Sequence, residues 1–140
     1  PKVIDATAIK STDLAKVDNA IFTPHQKEFE ILLTNSNLNE DNFRDYLNNN
    51  VVLLKGAEDK IFSQNQQAKN TTGNSVMTKG GTGDVLAGLA AGFVAQGCSL
   101  FESACKAAYI NGAVGDYLQD KMGVTYIASD LVKNIHQVYN

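Results

Sequence analysis

The sequence predicts an α/β domain built on a mostly parallel sheet flanked by helices. Three observations lead there. Short apolar runs of strand type at Val3-Ile4, Ala20-Ile21-Phe22 and Val51-Val52-Leu53-Leu54 alternate with segments of helical hydrophobic period. Strands separated by helices pair in parallel through right-handed crossovers. A glycine loop, Lys79-Gly80-Gly81-Thr82-Gly83, runs directly into an apolar helical stretch. At 140 residues, 44% hydrophobic and 19% charged, the chain suits one globular domain over residues 1–140.

Taken in order, Lys2 to Asp5 reads as a buried strand ending in a carboxylate. Thr12-Asp13 caps a brief helix through Leu14 and Val17. After the second strand, Thr23 is placed as N-cap, Pro24 at the first helical position and Gln26 at the third, a capping box. Phe29, Leu32 and Leu33 mark that helix's buried face. An asparagine-rich loop (Asn35 to Asn39) precedes a short helix carrying Phe43 and Leu47. The strand Val51 to Leu54 ends at Lys55-Gly56, and Asp59 to Ser63 forms a hairpin partner or edge strand. Gln64 to Asn74 has no period and reads as loop. The helix after the glycine loop carries Gly88 and Gly92 one turn apart, permitting close packing, and Gly97 closes it. Ser99 with Glu102 opens a further helix through Ala104, Ala108 and Val114 to Leu118, stopped by Gly123. Ser129-Asp130 begins a last helix with Leu131, Ile135 and Val138.

Composition removes several function classes. A net charge of −3 and a pI near 5.2 argue against nucleic acid as partner. No run reaches membrane-span length and no signal peptide opens the sequence, so a membrane partner is not expected. Cys98 and Cys105 lack metal-type spacing and read as reduced core thiols in a cytoplasmic protein. The Asn70-Thr71-Thr72 sequon is then accidental. The first residue is Pro1, with a strand already under way, so a piece is expected upstream.

The glycine loop carries the chemistry. Bare amides at a helix start, together with the positive end of its dipole, make an anion site. Asp84 follows directly, where phosphate would repel it, so its presence points to phosphoryl transfer with Asp84 as the base accepting a hydroxyl proton. Asp84 reads equally as an N-cap on residue type alone. Neither a Walker A loop nor a dinucleotide fingerprint fits: the sixth residue from Gly73 is Thr78, and Leu86 stands where the third fingerprint glycine belongs. In parallel sheets ligands gather beyond the carboxyl ends of strands. Asp5, the Thr23-Pro24-His25 turn and Lys55-Gly56 all fall there.

With these residues assembled, the chain resembles the carboxyl-terminal half of the ADP/ATP-dependent NAD(P)H-hydrate dehydratases. The matching pieces are Val3-Ile4-Asp5-Ala6, Thr23-Pro24-His25 with Glu28-Phe29, Val52 to Gly56, Gly73-Asn74 with Met77, Gly80 to Gly88, and Ala128 to Leu131. The resemblance implies a ribokinase-like fold, here an incomplete domain, since a full one is about twice this length. It implies that ADP or ATP, with Mg2+, phosphorylates the ring hydroxyl of hydrated NADH or NADPH, after which phosphate leaves. Asp84 would be the base, with the Gly80–Gly83 amides on the transferring group.

By the same resemblance, His25, Glu28 and Phe29 line the hydrated-nicotinamide side. Lys55, Gly56, Ala57, Glu58, Asp59, Asn74, Lys79, Gly80, Gly81, Thr82 and Gly83 contact nucleotide. No residues form a dedicated metal cluster, and a homo-oligomer is implied. Read without the resemblance, His25 is an exposed first-turn histidine, Glu28 a solvated helix residue, and Lys55 and Lys79 lysines in water. The sequence departs from the family at Asp59, where threonine is frequent, at Ser75-Val76 in place of Pro-Gly, and at Asn111 in place of histidine. A ribokinase-type hydroxyl kinase, or a nucleotide-binding module without turnover, would use the same loop.

Overall fold

The structure, a computed structural model, describes residues 1–139. Its sheet has five strands in sequential order: β1 (Lys2–Ile4), β2 (Ala20–Phe22), β3 (Val51–Leu54), β4 (Asp59–Phe62) and β5 (Gln67–Asn70). The first three pair in parallel, with Val3 opposite Ile21 and Phe22 opposite Val52. β4 is antiparallel to both β3 and β5, so four of the five strands share one direction. Helix α1 (Gln26–Asn35) connects β2 to β3. Helices α2 (Thr82–Ala95), α3 (Leu100–Met122) and α4 (Ala128–Asn134) follow the sheet.

Strand alternation sends side chains to two separate cores. Ile21, Val51, Leu53 and Ile61 pack with α2, α3 and α4 through Leu86, Phe93, Ala104, Ala108, Val114 and Leu131. Ala20, Phe22 and Val52 pack on the other face with Ile9, Leu14, Phe29, Leu32, Phe43 and Leu47. Covering on both faces explains why the central strands are continuously apolar rather than alternating. Among the described residues, no helix is long and apolar enough to cross a membrane.

Three expectations are corrected here. The segment read as loop from Gln64 to Asn74 contains β5. Its side chains Gln67, Ala68, Lys69 and Asn70 show no apolar period because the strand lies at the sheet's edge, where only Asn70 is buried. The N-cap of α1 is His25 and not Thr23. Thr23 and Pro24 lie outside the helix: the Thr23 hydroxyl donates to Asp5 Oδ1 at 2.8 Å, and the Lys55 amide donates to the Pro24 carbonyl at 2.8 Å. Gly88 and Gly92 pack against nothing, for a side chain at either would meet open space. The close approach occurs on α3 instead, where a methyl at Gly112 would lie 2.3 Å from the Thr72 hydroxyl.

Three further caps follow the sequence. Asp13 accepts from the Ala15 amide, Ser99 from the Glu102 amide, and Gly123 ends α3 at φ +62°. Glu102 pairs with Lys106 at 2.7 Å instead of closing the box on Ser99. Both cysteines are free and half-buried.

Candidate nucleotide site at the strand ends

Three parallel strands end in groups that bind one another. Asp5 follows β1, Thr23 follows β2 and Lys55 follows β3. Asp5 Oδ1 accepts from the Thr23 hydroxyl at 2.8 Å and from the Lys55 ammonium at 3.0 Å. The Asp5 and Lys55 side chains are only 16% and 22% exposed, so the pair is weakly screened and Lys55 is held in place. His25 lies beside Lys55 through an isolated parallel bridge.

The start of α2 closes on this rim. Gly81 is its N-cap with φ +90°, and a methyl there would lie 2.9 Å from Ala128 Cβ, so glycine is required. A methyl at Gly83 would lie 3.3 Å from Lys55 Nζ, which places the ammonium against the first turn of the helix. The Gly83 and Asp84 amides have no acceptor among the described residues. A fixed cation beside unpaired amides and the positive dipole end is suited to a phosphate.

These groups open into a cavity of about 500 Å³, within the size range of small-molecule sites. Its walls include the expected residues Lys55, Gly56, Ala57, Asp59, Asn74, Thr82 and Gly83. They also include Thr72, Gly73, Ser75, Met77, Thr78, Leu86, Asn111 and Gly112. Asp59 Oδ1 accepts from the Gly56 amide at 3.2 Å and Oδ2 from Asn70 Nδ2 at 3.1 Å. Burial raises its pKa above 3.8, against the lowering effect of those bonds and of Lys55. Asn74 is fixed on both sides of its amide. Nδ2 donates to Asp116 Oδ1 at 3.0 Å, while Oδ1 accepts from Tyr126 at 2.8 Å and from the Val76 amide at 3.1 Å.

Four residues expected at the nucleotide are not in the cavity wall. Glu58 pairs with Lys69 at 3.8 Å on the surface. Lys79 Nζ donates to the Val124 carbonyl and to the Tyr126 carbonyl, the latter at 3.1 Å, and tethers the loop to the segment before α4. Gly80 and Gly81 are outside the cavity wall. Thr82 reaches the wall, but its hydroxyl donates to the Met77 carbonyl at 2.6 Å and holds the loop's shape.

The substrate-side residues also divide. His25 is exposed; its Nδ1 accepts from the Glu28 amide at 3.3 Å, and its own amide donates to Glu28 Oε2 at 3.0 Å. Glu28 is therefore a buried cap partner, not a solvated helix residue. Phe29 is 2% exposed and packs edge-on against Phe43 at 5.1 Å. Its ring belongs to the core, behind the exposed His25.

Asp84, third in α2, is exposed and does not line the cavity. It borders an apolar groove between α2 and α4, formed with Val85, Leu89 and Val132. Cavity and carboxylate thus flank the same helix start from different sides. Such a division suits two reactants meeting across one helix terminus.

Residues 1–137 match the family model described as NAD(P)H-hydrate dehydratase. The chain belongs to the NAD(P)H-hydrate dehydratase family. It is 43% identical over 139 residues to the bifunctional NAD(P)H-hydrate repair enzyme Nnr of Methanocaldococcus jannaschii, covering 97% of this chain and 27% of that one. It is 37% identical to the ADP-dependent (S)-NAD(P)H-hydrate dehydratase of Cenarchaeum symbiosum, covering 96% of this chain and 50% of that one. The structure of the ADP/ATP-dependent NAD(P)H-hydrate dehydratase from Bacillus subtilis, co-crystallised with ATP/Mg2+ and soaked with CoA, superimposes with a TM-score of 0.82 at 28% identity. It covers 99% of this chain and 55% of that one. The chain therefore spans half or less of the curated relatives' length, and the expected ribokinase-like α/β class holds for this NAD(P)H-hydrate dehydratase family member.

Metal chemistry finds no ready cage. Among the described residues, no three His, Cys, Asp or Glu side chains gather as ligands. Asp59, the carboxylate on the cavity wall, already has both oxygens engaged. A magnesium ion would fit this site as one carried by nucleotide phosphates and water. Sequence reasoning missed Asn111 and Gly112, which sit mid-helix on α3. The cavity reaches them through the tertiary packing of α3 on β5, which no local signal announces.

Proposed function

We propose that this chain supplies the nucleotide site and the base of an ADP- or ATP-dependent (S)-NAD(P)H-hydrate dehydratase. The carrying observation is Lys55, fixed by Asp5 at 3.0 Å and set against the unpaired first turn of α2 at Gly83. The nucleotide lies in the cavity, its phosphates toward Lys55 and the Gly83 amide. The hydroxyl of the hydrated ring approaches on the Asp84 side.

The Asp84 carboxylate takes the hydroxyl proton as the oxygen bonds to the terminal phosphorus, and the bond from phosphorus to the departing nucleotide breaks. A carboxylate base suffices when the transition state is loose and the proton leaves late. The Gly83 amide and Lys55 stabilise charge on the transferring group. Mg2+, when bound through the phosphates, would neutralise part of their charge. The ring nitrogen's lone pair then expels phosphate, a far better leaving group than hydroxide. Loss of a proton from the adjacent carbon restores the reduced ring. Free, half-buried Cys98 and Cys105 accord with a reducing compartment such as the cytoplasm.

The test supplies hydrated NADH with ADP or ATP and Mg2+ to the full-length protein and follows NADH absorbance. Recovery that depends on nucleotide is expected. A stable phosphorylated alcohol without NADH release would favour the hydroxyl-kinase reading. Nucleotide binding without turnover would mean a binding module.

A further inference from the structure

One face of α3 supports the part of the cavity wall made by Thr72, Gly73, Asn74 and Met77. Gly112, Gly115 and Asp116 are spaced three and four residues apart, so they share one side of that helix. Neither glycine leaves room for a side chain. A methyl at Gly112 would collide with Thr72, and one at Gly115 with the Met77 side chain. The wall segment therefore rests directly on the helix backbone. Asp116 then ties it down: Oδ2 accepts from the Gly73 amide at 2.9 Å, and Oδ1 accepts from Asn74 Nδ2 at 3.0 Å. Gly73 and Asn74 line the cavity, whereas Asp116 is half-buried and does not.

Asn74 is the node of this arrangement. Its oxygen accepts from the Tyr126 hydroxyl and the Val76 amide, which takes both lone pairs, and its nitrogen is turned to Asp116. The Tyr126 carbonyl in turn accepts from Lys79 Nζ at 3.1 Å, at the start of the glycine loop. Contacts thus run from Asp116 through Asn74 and Tyr126 to that loop. We propose that Asp116 is a positioning residue of the nucleotide pocket. By clamping Gly73 and Asn74 to α3 it sets the wall on which nucleotide binds, without touching nucleotide itself. A carboxylate suits the task because it accepts from two donors at once, whereas a carboxamide there would set an NH2 group against one of them. The inference rests on the cavity being the adenine-nucleotide pocket.

The test is calorimetric titration with ADP of the full-length wild-type protein, Asp116→Asn, Asn74→Asp and the double exchange. Asp116→Asn should weaken ADP roughly tenfold, the loss of one charge-assisted bond. Asn74→Asp sets one carboxylate against another and should also weaken it. The double exchange restores every bond, with the amide at position 116 donating to the carboxylate at position 74. Its affinity should therefore exceed the product of the two single losses by about fivefold or more, and any direct effect of a charge at position 74 on ADP cancels in that comparison. Ile9→Val, in the core on the other face of the sheet, should lower the melting temperature and leave ADP affinity unchanged. Wild-type affinity in Asp116→Asn overturns the proposal, as do single losses that simply multiply, or an equal loss of affinity in Ile9→Val. If ADP fails to bind the wild-type protein, the nucleotide reading of the cavity is what has failed, and the inference falls with it.

Discussion

Lys55 Nζ lies 3.0 Å from Asp5 Oδ1, joining the ends of β3 and β1 across the intervening strand. The same Asp5 oxygen also holds Thr23, at the end of that intervening strand. One carboxylate thereby sets the position of the cation beside the α2 terminus.

Replacing Lys55 with Met should weaken ADP binding at least tenfold, as expected from losing one charge-assisted contact of about 1.5–3 kcal/mol. It should also lower stability by about 1–3 kcal/mol, because Asp5 keeps only the Thr23 hydroxyl in a poorly solvated place. Titration and denaturant melts check the two effects. A double-mutant cycle with Asp5→Asn should show that they are coupled.

Much of this rim was legible in the sequence, because local signals mark it. Strand-end polar groups at Asp5, Thr23 and Lys55, and the glycines before an apolar helical run, are written within a few residues each. What stayed hidden depended on tertiary partners. Thr23 resembles an N-cap until Asp5 is seen to claim its hydroxyl. Phe29 fits both a substrate motif and the buried spacing with Leu32 and Leu33, and its packing on Phe43 shows the ring in the core. β5 has no hydrophobic period because it is an edge strand. Asn111 stands out in the sequence only as a departure from the family until β5 and the cavity are placed against it.

Gly81→Ala should destabilise the fold by about 2 kcal/mol or more. Its φ of +90° is outside the range a side chain tolerates well, and the methyl would lie 2.9 Å from Ala128 Cβ. Gly83→Ala should leave the melting temperature nearly unchanged, since the flexible end of Lys55 can move aside from a contact of 3.3 Å. Its effect should appear instead as weaker nucleotide binding. Thermal melts of the two variants, run side by side, separate backbone strain from site crowding.

Tyr126→Phe should cost about 1–2 kcal/mol. The ring is fully buried and its hydroxyl donates to Asn74 Oδ1 at 2.8 Å, bracing the segment before the glycine loop. In the wild-type protein this phenol should titrate above 10.0, raised first by burial and further by nearby Asp116. Ultraviolet pH titration of wild type against Tyr126→Phe isolates that group.

Asp59 should titrate above 3.8, because burial outweighs its bonds to Asn70 and Gly56 and the attraction of Lys55. A folded-state pKa above the unfolded value means that the native protein binds this proton more tightly. The group's contribution to stability is then most favourable below 3.8 and declines as pH rises through the folded midpoint. Carboxyl-carbon NMR on the folded protein reads the midpoint directly.

The most direct measurement of the central claim compares wild-type and Asp84→Asn full-length protein, for both ADP affinity and recovery of NADH from its hydrate. With Asp84 outside the cavity wall, ADP should bind the variant within about twofold of wild type, while recovery falls by at least the 10²–10⁴-fold typical of a lost proton acceptor. Recovery at the wild-type rate in the variant would contradict the account.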